Sequence, residues 1–185
     1  MARLETGNEI LAPASADGTD DVNQYLTFSV SGENLAMSIE AVKEIIETPQ
    51  VTRVPMTPEY IRGVINLRGN VVPVIDLGAR LGRGPLTLTK RSCIVLVEVQ
   101  AGGDGHVLGM LVDEVRNILD IPRRDVKPAP EFGSEIRTDF IAAMGRIDDV
   151  FVIILSIDHV LSMQELAALR RLSEEASIHG QDTES

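Results

Sequence analysis

Residues 63–77 read GVINLRGNVVPVIDL. Apolar and β-branched residues lie on both sides of Asn66-Leu67-Arg68-Gly69, a composition typical of two buried strands joined by a tight turn. Gly69 suits such a turn because glycine adopts positive φ without steric cost. The stretch therefore predicts a β-hairpin with an arginine at its tip.

Short strand-like segments continue on both sides of this hairpin. Five occupy residues 24–76, and five more occupy residues 91–157. One segment is ambiguous, because the apolar positions of EAVKEIIE fit either one face of a short helix or an irregular strand. Ile45 of that segment is expected in the core, and for Val42 core and surface are equally open.

The second series of segments repeats the first. Residues 35–55, LAMSIEAVKEIIETPQVTRVP, align without gaps with residues 108–128, LGMLVDEVRNILDIPRRDVKP, and 11 of the 21 positions are identical or similar. Residues 60–77 align in the same way with residues 140–157, with their apolar positions superposed. The chain is therefore predicted to be an internal duplication.

The duplication predicts a mainly β fold. Five strands per repeat leave two bare edges in an open sheet, and closing each sheet into a small barrel removes them. We expect two packed five-stranded barrels with a binding groove between them. The apolar residues from Val160 to Leu172 recur at helical spacing, which predicts a C-terminal helix with Asp158 as its cap.

Composition and charge exclude several classes of protein. Aromatic residues are 3% of the chain and tryptophan is absent, so the core must be aliphatic. A net charge of −11 without a basic stripe argues against binding to nucleic acid. Cys93 is the lone cysteine, which suggests a reducing compartment. No signal peptide or membrane-spanning stretch is recognisable, so we expect a soluble cytoplasmic protein.

The sequence contains no recognisable catalytic or metal-binding motif. The three histidines, at positions 106, 159 and 179, form no ligand pair, and no glycine-rich loop matches a phosphate cradle. Asp76 could be a catalytic carboxylate, but its counterpart in the second repeat is Ser156, so both are better interpreted as capping residues. We expect no enzymatic activity, no cofactor and no metal.

Four motifs together resemble the CheW-like coupling proteins of bacterial chemotaxis. They are VKEII at residues 42–46, the prolines Pro55 and Pro58, GVINLRG at 63–69 and VVPVIDL at 71–77. The resemblance covers roughly residues 23–165 and implies two intertwined SH3-like β-barrels. The CheW-like domain is expected at 23–165, with strands of about 24–76 and 91–157 and possible strand exchange. Residues 1–22 are rich in small and polar residues without a sustained period, which predicts a flexible arm, and a helix end with a disordered tail is expected at 166–185.

The resemblance also implies a function. CheW-like proteins are adaptors without enzymatic activity that join the cytoplasmic tips of chemoreceptors to the regulatory domain of the histidine kinase CheA. They work in the cytoplasm at membrane-bound receptor arrays and do not insert into the membrane. The alternative is a stand-alone CheW-like module that binds the kinase without receptors, or one that serves a signalling array outside chemotaxis.

Five residues carry the expected partner contacts. By motif position they are Val42 and Glu44 of VKEI, and Gly63, Asn66 and Arg68 of GVINLRG. The second repeat has an aspartate where the first has Arg68, so folding of the hairpin does not require an arginine. Arg68 is either a solvated turn residue or a guanidinium presented to another protein, and arginine is enriched among interface anchors.

Overall fold

The computed structural model describes residues 21–101, 103–129, 139–162, 164–172 and 174. The predicted arm lies outside them except for Asp21 and Val22, and so does the tail from residue 175 onward. The described strands are β1 (Val22–Val30), β2 (Glu33–Ser38), β3 (Val42–Glu47), β4 (Ile61–Leu67), β5 (Asn70–Asp76), β6 (Cys93–Ala101), β7 (Asp104–Val112), β8 (Glu114–Pro122), β9 (Val126–Lys127), β10 (Ile141–Ile147) and β11 (Val150–Leu155). The helices are α1 (Leu77–Arg80), α2 (residues 164–172) and 3₁₀ turns at Ile39–Ala41, Arg123–Asp125 and Ile157–His159.

The strands form two sheets. One has the order β9-β10-β11-β2-β1-β8, and the other has the order β3-β6-β7-β5-β4. The predicted mainly β class with two barrel-type units, short helices and a C-terminal helix is confirmed. One sheet has a sixth strand because β9, only two residues long, adds to the edge of β10.

Each sheet draws strands from both repeats. In the six-stranded sheet, the hairpin β1–β2 of the first repeat lies between β8 and β11 of the second. In the five-stranded sheet, the hairpin β6–β7 of the second repeat lies between β3 and β5 of the first. Each exchanged hairpin attaches through one parallel pair, β2 with β11 or β5 with β7, and through one antiparallel pair, β1 with β8 or β3 with β6. The two sheets are therefore interleaved along the chain.

Equivalent backbone contacts recur in both repeats. Asp76 N donates to Tyr60 O at 2.7 Å, and 80 residues later Ser156 N donates to Phe140 O at 2.8 Å. The hairpins β4–β5 and β10–β11 also carry a β-bulge at the same place. The three-dimensional structure thus supports the duplication that the sequence predicts.

The core is mostly aliphatic, as the composition indicates, with Phe28 and Tyr25 as its buried aromatic residues. Its main cluster joins the five-stranded sheet to the β1–β2 hairpin and to the C-terminal segment, where Leu166 and Leu169 are buried. A smaller cluster fills the six-stranded sheet and consists of Tyr25, Ala36, Ile121, Val152 and Ile154. The C-terminal helix is thus part of the core of the five-stranded sheet.

The ambiguous segment at residues 40–47 is a 3₁₀ turn followed by the edge strand β3. Along β3 the side chains alternate, with Val42, Glu44 and Ile46 partly buried. Ile45 is 39% exposed, so its expected place in the core was wrong. The reason is the strand period of two, which sends adjacent residues to opposite faces, whereas a helix would keep Ile45 and Ile46 on one face.

The C-terminal helix starts later than predicted. Asp158 does not cap it, because its Oδ1 accepts a hydrogen bond from Gln100 N at 3.1 Å. Instead, Ser162 Oγ accepts from Glu165 N at 3.1 Å, and Glu165 Oε1 accepts from Ser162 N at 2.7 Å. This reciprocal arrangement is a capping box, which satisfies two backbone donors at the helix start.

Candidate functional site

The hairpin tip is a two-residue loop between β4 and β5. Leu67 pairs with Asn70, and the residues between them, Arg68 and Gly69, have φ of 51° and 89°. Positive φ at both positions is the geometry of a type I′ turn, whose twist matches that of the flanking strands. Asn66 Oδ1 accepts a hydrogen bond from Gly69 N at 2.8 Å, which closes the turn further. Arg68 therefore projects from a well-braced loop.

Arg68 forms an ion pair with Glu44 across the surface. Its Nη2 donates to both carboxylate oxygens of Glu44, at 2.9 and 2.7 Å. This hydrogen bond, and then the charge of Glu44, raise the pKa of Arg68 above its usual value. The Arg68 side chain nevertheless remains 68% exposed. The structure thus brings together two of the five predicted site residues, which lie 24 positions apart in the sequence.

The other three predicted residues are in different situations. Asn66 is exposed beside Arg68, and Val42 is half-buried against the core. Gly63 is buried, and a Cβ atom there would lie 2.2 Å from Thr52 O. The chain around Thr52 lies against Gly63, so this glycine has a packing role. Its contact with a partner stays a prediction.

A cavity of about 440 Å³ lies beside the Arg68–Glu44 pair. Its walls come from β3, the hairpin tip, β5, β6, β7 and α2, and it is lined by Lys43, Glu44, Leu67, Arg68, Asn70, Val71, Val72, Pro73, Leu96, Gly105, His106, Val107, Leu108, Leu166, Leu169, Arg170 and Glu174. These lining residues include none from the six-stranded sheet. The cavity differs from the expected groove between the barrels because α2 folds back over the five-stranded sheet and forms one wall.

A second cluster of charged residues fastens α2 to the five-stranded sheet. Arg80 Nη1 and Nη2 donate to the two carboxylate oxygens of Glu165 at 3.0 and 2.9 Å. Its Nε donates to Val160 O at 2.6 Å, and its guanidinium lies 5.0 Å from the centroid of the Tyr60 ring. Sequence reasoning missed this cluster, although the Ser-x-x-Glu pattern that starts at Ser162 marks the helix start.

Burial and contacts within this cluster shift two pKa values. Burial, together with the hydrogen bond and charge of Glu165, raises the pKa of Tyr60 to about 12. Burial of Glu165 works against its ionisation, but hydrogen bonds from Ser162 and Tyr60 and the charge of Arg80 outweigh it. The pKa of Glu165 is therefore held below its usual value. Near neutral pH the carboxylate is charged and the phenol is neutral.

Asp76 is a fully buried carboxylate with a structural role. Oδ1 accepts from Ala79 N at 3.0 Å, which confirms the interpretation of Asp76 as a cap. Oδ2 accepts from Arg62 Nη1 at 2.9 Å and from Leu86 N at 3.0 Å. Ser156, its counterpart, stands at the start of a 3₁₀ turn without a side-chain bond to the backbone, and its Oγ lies 2.7 Å from His159 Nδ1 instead. Asp76 thus ties α1 and the following loop to β4.

The remaining described residues add no metal-type cluster. Among them, no group of three or more histidine, cysteine, aspartate or glutamate side chains could hold an ion. Within that same part of the chain, no helix has the length and apolar character needed to cross a membrane. What the described surface does offer is an exposed ion pair next to an apolar cavity floor, an arrangement suited to non-covalent contacts with another protein.

Comparison with known proteins gives a consistent result. The model of the CheW-like domain matches residues 24–165. The chemotaxis protein CheW of Klebsiella aerogenes is 30% identical over 165 residues, covering 89% of this chain and 97% of the relative. CheW of Rhizobium meliloti is 33% identical and covers 81% and 94%. The crystal structure of the scaffolding protein TtCheW from Thermoanaerobacter tengcongensis superposes with a TM-score of 0.69 at 32% identity, covering 78% and 97%.

The interleaved sheets and the exposed pair beside an apolar cavity define a protein-binding scaffold. The chain belongs to the CheW-like family. Its function is that of a chemotaxis coupling adaptor.

Proposed function

We propose that this protein joins the cytoplasmic tips of chemoreceptors to the regulatory domain of the histidine kinase CheA by non-covalent contacts and catalyses no reaction. The observation that carries the proposal is the exposed Arg68–Glu44 pair on a braced hairpin tip beside an apolar cavity. Asn66 and the half-buried Val42 belong to the same contact surface. Membership of the CheW-like family supports both partners.

The pairing of Arg68 within its own chain is compatible with this role. An ion pair at the surface is weakened by water and salt, so replacing the Glu44 carboxylate by a carboxylate of a partner costs little free energy. Glu44 meanwhile limits the conformations of a long side chain, which reduces the entropy lost on binding. The guanidinium is therefore pre-oriented for a carboxylate or carbonyl of a partner.

The site of action follows from these partners. The protein works in the cytoplasm and is recruited to membrane-bound arrays by protein contacts, without inserting into the bilayer. A stand-alone module outside chemotaxis is not favoured, because the proteins similar to this chain include chemotaxis proteins from several bacteria.

The variant Arg68→Ala tests the proposal. It removes the guanidinium and keeps a residue with a Cβ at a position of φ 51°, so the backbone strain is unchanged. Binding of the kinase regulatory domain or of a receptor tip fragment, each titrated separately by calorimetry, should weaken roughly tenfold, as for an interface anchor. The melting temperature should change little, since the side chain is exposed.

Arg146→Ala is the matched control. Arg146 lies on the second hairpin and pairs with Asp125 at 3.4 Å, with its side chain 51% exposed. Its loss should leave both affinities unchanged. The proposal fails if Arg68→Ala binds both partners as the parent protein does, or if both arginine variants weaken binding equally.

A further inference from the structure

The turn at the tip of the β4–β5 hairpin holds Arg68 in the left-handed region. Its φ of 51° is a conformation that residues with a Cβ atom adopt rarely. This conformation fixes the direction in which the side chain leaves the main chain. A change in the turn would therefore displace the guanidinium, which lies at the end of a long side chain.

The Asn66 side chain stabilises this turn. The strand ladder closes with the pair Leu67–Asn70, so Gly69 N lies beyond it. Asn66 Oδ1 accepts the hydrogen bond from Gly69 N at 2.8 Å, and the bond therefore spans Arg68. The Nδ2 group of Asn66 takes no part in it. The acceptor oxygen of Asn66 is thus the atom that braces the turn.

A hairpin of this kind forms without such a brace. The position equivalent to Asn66 in the second hairpin is occupied by Arg146, whose guanidinium has donors and no acceptor. That tip nevertheless has positive φ at both turn residues, 50° at Asp148 and 65° at Asp149. The side-chain brace is therefore particular to the hairpin that presents Arg68, and folding of the duplicated scaffold does not explain it.

The ion pair with Glu44 constrains the other end of the Arg68 side chain. Nη2 is the nitrogen that donates to both Glu44 oxygens, so Nε and Nη1 lie outside the pair. The two side chains are 68% and 36% exposed, and an ion pair in such a setting is weak. The pair alone leaves the guanidinium considerable freedom, so the main chain has to supply the rest of the constraint.

We propose that Asn66 is a positioning residue for Arg68. Its side chain fixes the turn, the turn directs the guanidinium, and Arg68 makes the contact with the partner. The inference rests on the proposed function for the existence of that contact, and it holds for either partner. Without the bond to Gly69, the free protein samples more orientations of Arg68, so more conformational entropy is lost on binding.

The variant Asn66→Ala removes the brace and leaves Arg68 in place. Amide hydrogen exchange of Gly69 should become at least roughly tenfold faster, because its acceptor is gone. Affinity is measured for whichever partner binds Arg68→Ala more weakly than the parent protein, the kinase regulatory domain or the receptor tip fragment. It should fall about threefold in Asn66→Ala, as for one side chain that must be ordered on binding.

Two further variants distinguish positioning from direct contact. In the Arg68→Ala background, Asn66→Ala should leave the affinity unchanged, because no guanidinium remains to be positioned. Asn66→Asp keeps an acceptor oxygen and loses the Nδ2 donors. It should restore slow exchange of Gly69 and an affinity within about twofold of the parent protein, since the added exposed charge is screened by salt.

Asn34→Ala is the control. It makes the same chemical change at an exposed asparagine beside another hairpin turn, Ser31–Gly32, where φ is 51° and 82°. It should alter neither the exchange of Gly69 nor the affinity.

The outcomes separate this inference from the proposed function. Unchanged exchange of Gly69 in Asn66→Ala, or an unchanged affinity, would overturn the positioning role and leave the proposed function intact if Arg68→Ala binds weakly. Equal weakening by Asn66→Ala with and without Arg68, or equal losses in Asn66→Asp and Asn66→Ala, would show that Asn66 itself contacts the partner and would also overturn it. Normal binding of both partners by Arg68→Ala would overturn both proposals.

Discussion

Two arginine–carboxylate pairs in the same half of the chain have different roles because their burial differs. Arg68–Glu44 lies at the surface, whereas Arg62–Asp76 has side-chain exposures of 20% and 0%. Water and salt weaken the exposed pair, so it contributes little to folding and remains available to a partner. A buried carboxylate without its donors is costly, so Asp76 is committed to the fold.

Replacing Asp76 should therefore destabilise the protein. Asp76→Ala removes the acceptor of Arg62 Nη1, Ala79 N and Leu86 N. We expect the free energy of unfolding to fall by about 3 kcal/mol, as when one partner of a buried pair is lost. Urea unfolding measures this change. Ser156→Ala at the equivalent position should cost less, because Ser156 makes no side-chain cap hydrogen bond and its hydroxyl contacts only the exposed His159 ring. Equal losses in the two variants would contradict this account.

The Arg80–Glu165 pair, which fastens α2 to the five-stranded sheet, should respond to pH through Glu165. Its pKa in the folded protein lies below that of the unfolded chain, about 4.3. The stabilisation from the charged carboxylate is therefore complete when the pH lies above the pKa of Glu165 in the unfolded chain. It is lost as the pH falls through the pKa of Glu165 in the folded protein. Carboxyl ¹³C titration should place the pKa of Glu165 below that of a glutamate in the unfolded chain, and Arg80→Gln should raise it. A pKa at or above the unfolded value in the parent protein would contradict the argument from hydrogen bonds and charge.

At the scale of the element, the two equivalent hairpins show which features the turn requires. The first tip has Arg68 and Gly69 at φ 51° and 89°, and the second has Asp148 and Asp149 at φ 50° and 65°. Glycine is therefore not indispensable at the tip. Gly63 is different, because the main chain of Thr52 leaves no room for a Cβ atom there.

Alanine substitutions at Gly63 and Gly69 separate the effect of a steric clash from the effect of a positive φ. Gly63→Ala places a Cβ atom against Thr52 O, so we expect a loss of about 3 kcal/mol or more. Gly69→Ala meets no atom within 4 Å and should cost only the αL preference, about 1–2 kcal/mol. Thermal unfolding of the two variants measures the loss of stability in each. A smaller loss for Gly63→Ala than for Gly69→Ala would refute the packing role of Gly63.

At the scale of the whole molecule, the sheets interleave the repeats. Neither repeat holds a complete sheet, since each contributes a hairpin to one sheet and the remaining strands to the other. The main core also joins strands of both sheets. Folding of one half therefore requires the other.

Cutting the chain between the repeats should test this dependence. Fragments 1–90 and 91–185 divide the loop between α1 and β6, and neither contains all the strands of a sheet. We expect each fragment alone to show no cooperative unfolding transition, and their mixture to recover one because the exchanged hairpins can pair again. Circular dichroism during thermal unfolding distinguishes the two cases. Cooperative unfolding of a single fragment would show that one repeat suffices.

The sequence alone determined the elements and their repetition. Alternating apolar residues, the Asn66–Gly69 turn and the aligned repeats predicted the strands, the hairpin and the duplication, because periodicity and turn chemistry are local properties of the chain. Family motifs also indicated Arg68 and Glu44, although not that they pair.

Only the tertiary structure decided which elements meet. It assigned the hairpins to sheets, buried Gly63 under Thr52, turned Ile45 outward and closed the cavity with α2. These outcomes depend on contacts between residues far apart in the chain. Such contacts are selected by the packing free energy of the whole molecule, which no short stretch of sequence contains.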